Sequence, residues 1–250
     1  MSASGPGKSE QLPLFPLGAV LVPGMRLSLH VFEPRYRQLV ADLLNAETSG
    51  APEFGVVALR QGWEVGELKD VYEIGTTARV TDVLPHPDGR CDLTAVGERR
   101  FVIESLNTTS QPYLMATVRC LGEPEGELRP GMAAATRRAL QLHQRALAEL
   151  EVDFGDEIEL PDLELADAGV DAELPASTDP LPTDARALSY AVARLTSLPL
   201  IDRQNLLAVP DTAGRLRAAR SVLRRENELL LQLRAVPVSA ATFRTGPATS

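Results

Sequence analysis

The stretch "LPLFPLGAVLVPGMRLSLHVFEPRYRQLV", residues 12–40, decides how the rest of the chain is read. Residues 12–22 are apolar but include Pro13 and Pro16. Proline donates no backbone hydrogen bond, so this strand is expected at a sheet edge or with an irregular start. Pro23, Gly24 and Met25 are turn chemistry. "RLSLHVF", residues 26–32, then alternates. Leu27, Leu29 and Val31 fall on one face, and Ser28, His30 and Phe32 on the other. Pro34 suits the first position of a helix, and 35–46 has helical spacing with Tyr36, Leu39 and Leu43 as its apolar stripe.

Further strands are expected outward of this segment, at 54–60, 76–84, 91–97, 99–106 and 113–121. "PHPDGR", 85–90, ends in Asp-Gly and reads as a tight turn. About seven short strands with short turns suggest a small barrel or sandwich. The pattern then changes to helical spacing. Pro130 can open a helix over 131–150. Thr183 is a candidate N-cap for 184–197, Asp202 for a short helix over 201–209, and Thr212 starts a long helix to about 235. The chain therefore reads as α+β: a β-region at 12–122, a helical region at 123–235, and disordered tails at 1–11 and 236–250.

Charge is distributed unevenly. The net charge is −9, yet residues 151–185 hold 12 acidic groups and no basic ones. Residues 186–235 hold nine Arg against four acidic groups. The acidic stretch, with its prolines, reads as a disordered insertion in the helical region. Its alternating apolar residues also suit strand addition to an edge of the chain's own sheet. A net acidic chain is a poor general polyanion binder, which disfavours nucleic acid. No apolar run is long enough to span a membrane, and "MSASGPGKSEQ" has no signal-peptide core, so a cytoplasmic protein is expected. "SASGPGKS" places Ser2 where a phosphate-binding loop needs its first Gly, and no strand precedes it.

Cys91 and Cys120 are the only cysteines and read as reduced thiols. His30, His86 and His143 lie at no zinc-ligand spacing from one another or from a cysteine, so neither a metal nor another cofactor is expected.

Residues 12–40 resemble the opening of the Lon N-terminal, or Lon substrate-binding, domain, and match its stand-alone bacterial branch. "YEIGTTARVTDVLPHPDGRCDLTAVGERRFVIESL", 72–106, is similar to the family's middle strands, including a Gly-x-x-Arg-Phe element at Gly97, Arg100 and Phe101. "LPLIDRQNLLAVPDTAGRLRAARSVLRRENELL", 198–230, is similar to its closing helices. The resemblance implies a PUA-like β-barrel of six to seven strands followed by a C-terminal helical subdomain. It also implies capture of unfolded or degron-bearing polypeptides, or of a protein partner, alongside a separate ATPase or protease. No Walker motif is present, and Lys8 and Lys69, the only lysines, are poorly placed for the Ser–Lys dyad of Lon peptidases.

The candidate binding residues are His30, Phe32, Glu33, Arg35, Tyr36, Trp63, Arg99 and Arg100. Glu33 and Arg35 are suited to fasten the strand-to-helix corner with Tyr36 packed beneath. Trp63 is an aromatic in a polar connection, and the paired arginines suit carboxylates. No nucleophile–base pair is evident, so no catalytic residue is named and the chain is read as non-enzymatic. Two other classes stay open. One is an RNA-binding PUA-like protein that uses the basic face of the last helix (Arg215, Arg217, Arg220, Arg224, Arg225). The other is a hydrolase whose groups meet only in the fold.

Overall fold

The computed structural model describes residues 9–45, 51–60, 71–153, 170–171 and 181–233. The chain divides into two compact units, 1–123 with 166–174, and 124–165 with 175–250. The expected insertion 151–185 lies mostly outside the described residues, as do Trp63 and the C-terminal tail.

Among the described residues, the first unit holds seven strands and a helix: β1 (Ser9–Leu17), β2 (Arg26–Val31), α1 (Pro34–Asn45), β3 (Glu53–Ala58), β4 (Ile74–Pro85), β5 (Cys91–Asn107), β6 (Leu114–Cys120) and β7 (Val170–Asp171). The sheet runs β4-β3-β1-β6-β5-β2-β7, and a further β4–β5 pairing closes β4, β3, β1, β6 and β5 into a ring. The long β5 makes this possible. Its first half, Cys91–Val96, pairs with β2, and its second half, Phe101–Asn107, pairs with β6.

β1 is not an edge strand. It pairs in parallel with β3 and antiparallel with β6. The prolines are tolerated because each side is paired over only part of the strand. Residues 9–14 face β6 and 14–17 face β3, so Pro13 and Pro16 each have one flank that requires no N–H. β1 also starts at Ser9, three residues earlier than expected.

The ring encloses Leu12, Leu14, Val57, Val71, Phe101, Leu114, Ala116 and Val118. The Gly-x-x-Arg-Phe element has a separate physical role at each position. A Cβ on Gly97 would lie 2.5 Å from the Val22 carbonyl oxygen, because the 18–25 loop crosses the sheet there and bonds Gly24 N–H to Gly97 O. Arg100 is 1% exposed and donates to Glu123 Oε1 at 2.6 Å and to the Gly122 carbonyl at 3.1 Å. Phe101 fills the centre of the barrel, where its ring occupies space that a side chain on Gly75 would need.

Helix α1 begins at Pro34 and buries Tyr36, Leu39 and Val40. Its Asp42 accepts a hydrogen bond at 2.7 Å from Tyr113, just before β6. Burial, with help from that carboxylate, pushes the Tyr113 phenol from 10.0 up to about 12. The folded state therefore holds this proton more tightly than the unfolded chain. The resulting stabilisation is complete below about pH 10 and is lost as pH rises toward 12. In urea titrations, Tyr113→Phe is expected to flatten the alkaline fall in stability across that window; an unchanged slope would show that this phenol is not its source.

The second unit contains α2 (Met132–Asp153), α3 (Ala185–Leu195), α4 (Leu200–Ala208) and α5 (Thr212–Leu233). Leu140, Leu188, Val192, Leu207, Leu216, Ala219 and Leu223 form its apolar interior. His143 of α2 and Asn227 of α5 share a buried hydrogen bond at 2.8 Å. The α3 cap is Asp184 rather than Thr183, and its carboxylate accepts from Ala187 N–H at 2.8 Å. Asp202 is not a cap either. It sits in the first turn of α4, and its carboxylate accepts from Arg225 at 2.6 Å.

The expected basic face of α5 also needs correction, because Arg215 is fully buried. Its guanidinium lies 4.3 Å from the Tyr190 ring centre and donates to Ser189 Oγ and the Val209 carbonyl, each at 3.0 Å.

Candidate functional site

Strand β2 organises the candidate residues of the first unit. Its alternation buries Leu27, Leu29 and Val31 and leaves His30 exposed, with Phe32 following at 43% exposure. One side of β2 pairs with β5 over its whole length. On the other side, only Ser28 and Leu29 are paired, to Asp171 and Val170 of β7. The rest of that edge carries no strand among the described residues.

His30 is opposite Asp92 in the β2–β5 register, and its Nδ1 lies 2.7 Å from Asp92 Oδ1. His86, in the β4–β5 turn, places Nε2 2.8 Å from the other oxygen, Asp92 Oδ2. One carboxylate thus bridges two imidazoles whose ring centres are 5.8 Å apart. The hydrogen bonds to His30 and His86 hold the Asp92 carboxyl below its ordinary range. Arg90 reaches His30 Nε2 at 3.4 Å and is itself held by Asp88, Nε to Oδ2 at 2.6 Å. The cluster bonds to carboxylate and guanidinium, with no hydroxyl or thiol joined to it among the described residues. Cys91, the neighbour of Asp92, faces inward and is buried, and burial pushes its thiol upward.

Separation in sequence concealed this cluster. His30 and His86 lie far apart along the chain, and only the β2–β5 register and the β4–β5 turn bring them to one carboxylate. The hint in the sequence was "PHPDGRCD", which places a histidine and an aspartate at the two ends of one tight turn.

The other candidates have partners within the chain. Arg35 donates to Glu33 Oε2 from Nε at 2.8 Å and from Nη2 at 2.6 Å. The Glu33 carbonyl accepts the N–H groups of Tyr36 and Arg37 and so starts α1. Tyr36 is buried and stacks on Phe15 with ring centres 4.0 Å apart; burial raises its phenol above the ordinary value. Arg99 donates to Glu53 Oε2 at 2.7 Å and to Cys120 Sγ at 3.2 Å. Burial and a hydrogen bond to Glu10 push the Cys120 thiol up to about 11, which favours the protonated thiol at neutral pH. Arg100 is inside the barrel unit and presents no group to solvent. His30 and Phe32 face outward beside the part of the β2 edge that carries no strand among the described residues, whereas the exposed Arg35 and Arg99 are ion-paired elsewhere.

A shallow groove of about 440 Å³ lies elsewhere in this unit, lined by Leu44, Pro52, Val80, Thr81, Asp82, Val83 and Pro85. Among the described residues, no helix is long and apolar enough to cross a membrane.

Comparison with known proteins places this geometry in a family. The chain is 29% identical over 222 residues to Lon protease 2 of Herpetosiphon aurantiacus, covering 88% of this chain and 24% of that protein. It is 28% identical over 226 residues to Lon protease 2 of Syntrophobacter fumaroxidans, covering 90% and 25%. The chain thus spans about a quarter of the length of these curated relatives. Among solved structures, a Lon N-terminal domain protein from Xanthomonas campestris superposes with a TM-score of 0.54 at 25% identity, covering 83% of this chain and 95% of that one. The N-terminal domain of Lon protease from the Mycobacterium avium complex shares the fold, with a TM-score of 0.53 at 17% identity over 86% of this chain and 98% of that one. The model of the ATP-dependent protease La (LON) substrate-binding domain matches residues 11–225, and the chain belongs to that family.

Proposed function

We propose that this chain is a non-catalytic module that binds extended polypeptide segments along the outer edge of β2, acting as an adaptor in protein quality control. The observation that carries this reading is β7. Residues 170–171 pair antiparallel with Ser28 and Leu29, so the β2 edge accepts an added strand within the chain itself. Strand addition gives affinity through main-chain hydrogen bonds and selectivity through alternate side chains. Phe32 supplies an exposed apolar contact just beyond that edge, and His30 a polar one. The membership in a substrate-binding family supports the same reading. Unfolded or degron-bearing segments are the expected ligands, with a separate ATPase or protease acting on what is captured. On this reading β7 is a weak internal competitor, since a two-residue strand holds few ladder bonds.

The test is an array of extended apolar peptides probed with the purified chain at low and high salt. A second form has residues 166–174 replaced by a Gly-Ser linker. Capture is expected to tolerate salt, to strengthen in the linker form and to weaken in Phe32→Ser. Failure of both forms to capture any peptide would overturn the reading. Binding to RNA that collapses as salt rises would replace it with the nucleic-acid reading.

A further inference from the structure

We propose that His30, His86 and Asp92 form a binding site for one late first-row divalent ion, Zn²⁺ above all, on the outer face of the barrel. The ligand atoms of the three residues lie within 4.8 Å of one another. His30 Nδ1 and His86 Nε2 both point at the Asp92 carboxylate, so two imidazole nitrogens and one carboxylate converge. An ion placed there takes the positions of the bridging protons and requires both rings to be neutral. Two nitrogen donors and one oxygen donor suit zinc, cobalt, nickel or copper, whereas magnesium and calcium favour all-oxygen sets.

The scaffold holds the donors in place. His30 and Asp92 are cross-strand partners on β2 and β5. His86 is fixed by the turn, where its N–H donates to the Arg90 carbonyl at 2.8 Å and its carbonyl accepts from Gly89 N–H at 3.0 Å. The cluster is on the solvent side of the sheet, since Leu29, Val31, Cys91 and Leu93 point into the core. It therefore contributes nothing to core packing, and solvent can fill the remaining coordination positions. Three protein ligands leave coordination positions open, unlike the four-ligand closed set of structural zinc sites. Arg90 opposes the ion, because its guanidinium lies 3.4 Å from His30 Nε2 and adds a positive charge beside the site. Asp88 draws that guanidinium partly away.

The proposal does not rest on the polypeptide reading, although His30 belongs to both. Its test is calorimetric titration of the chelator-treated full chain with Zn²⁺, and with Co²⁺ followed by absorption. One ion per chain is expected, with cobalt d–d bands and no thiolate-to-cobalt charge transfer. His30→Asn and His86→Asn are each expected to weaken Zn²⁺ binding by at least roughly tenfold, and Arg90→Ala to strengthen it several-fold. In the natural chain, one equivalent of Zn²⁺ should shift the imidazole NMR signals of His30 and His86 and leave that of the buried His143 unmoved. This readout needs no variant. Unmoved His30 and His86 signals, unchanged affinity in both histidine variants, or a thiolate charge-transfer band would each overturn the proposal.

Discussion

Replacing Arg100 with alanine is expected to destabilise the barrel unit by about 3–5 kcal/mol, the usual cost of breaking a buried ion pair from one side. The side chain is 1% exposed and Glu123 is 19% exposed, so the carboxylate left behind has little water to turn to. The Gly122 carbonyl loses a donor at the same time, and the missing aliphatic stem leaves a void where the side chain was buried. Hydrogen exchange at the amides of β5 and β6 reads the loss locally, which matters because a two-unit chain need not unfold in one step. Arg100→Met combined with Glu123→Gln should recover much of the loss, since it removes the orphaned charge and restores volume. A single-variant loss below about 1 kcal/mol would show that the pair lends the barrel no more than a surface bridge does.

The second large effect is expected in the helical unit. Arg215→Met keeps most of the volume but removes the donors to Ser189 Oγ and the Val209 carbonyl. A hydrogen bond from a charged donor contributes about 1.5–3 kcal/mol, and both are lost. Loss of the cation over the Tyr190 ring adds roughly 0.5–2 kcal/mol. Ser189 is in α3 and Val209 ends α4, so one side chain of α5 ties both helices to its own. Protection of α3 and α5 amides should fall together. Arg217→Ala, at an exposed position of the same helix, is expected to change stability by less than about 0.5 kcal/mol. Equal effects at the two positions would remove Arg215 from this role.

Period-two alternation in "RLSLHVF" made β2 legible, down to which face carries His30 and Phe32. Pro34 made the start of α1 legible. Position within a sheet was not, because proline content reports a missing donor and not which flank lacks a neighbour. Pro13 and Pro16 therefore suggested an edge, while β1 is flanked on both sides by strands that each cover only part of it. Caps were misplaced where two suitable residues compete, as with Thr183 and Asp184, or where a carboxylate is claimed by a distant cation, as Asp202 is by Arg225. Arg215 was hidden among four other arginines of one helix, since helical spacing alone does not mark which of them meets Tyr190. The His30–Asp92–His86 cluster depends on strand register, which is undefined until the pairing partner is known.

The order of strands around the ring has a consequence for synthesis. β1 emerges first, but its antiparallel partner β6 ends at Cys120. The ring cannot close until nearly the whole first unit has left the ribosome, and its most distant pairing joins its earliest and latest strands. Such long-range closure belongs to the slow class of folding reactions. The nascent chain must carry Leu12, Leu14 and Phe15 unprotected for that interval, so early encounters with a chaperone should fall on the first strand.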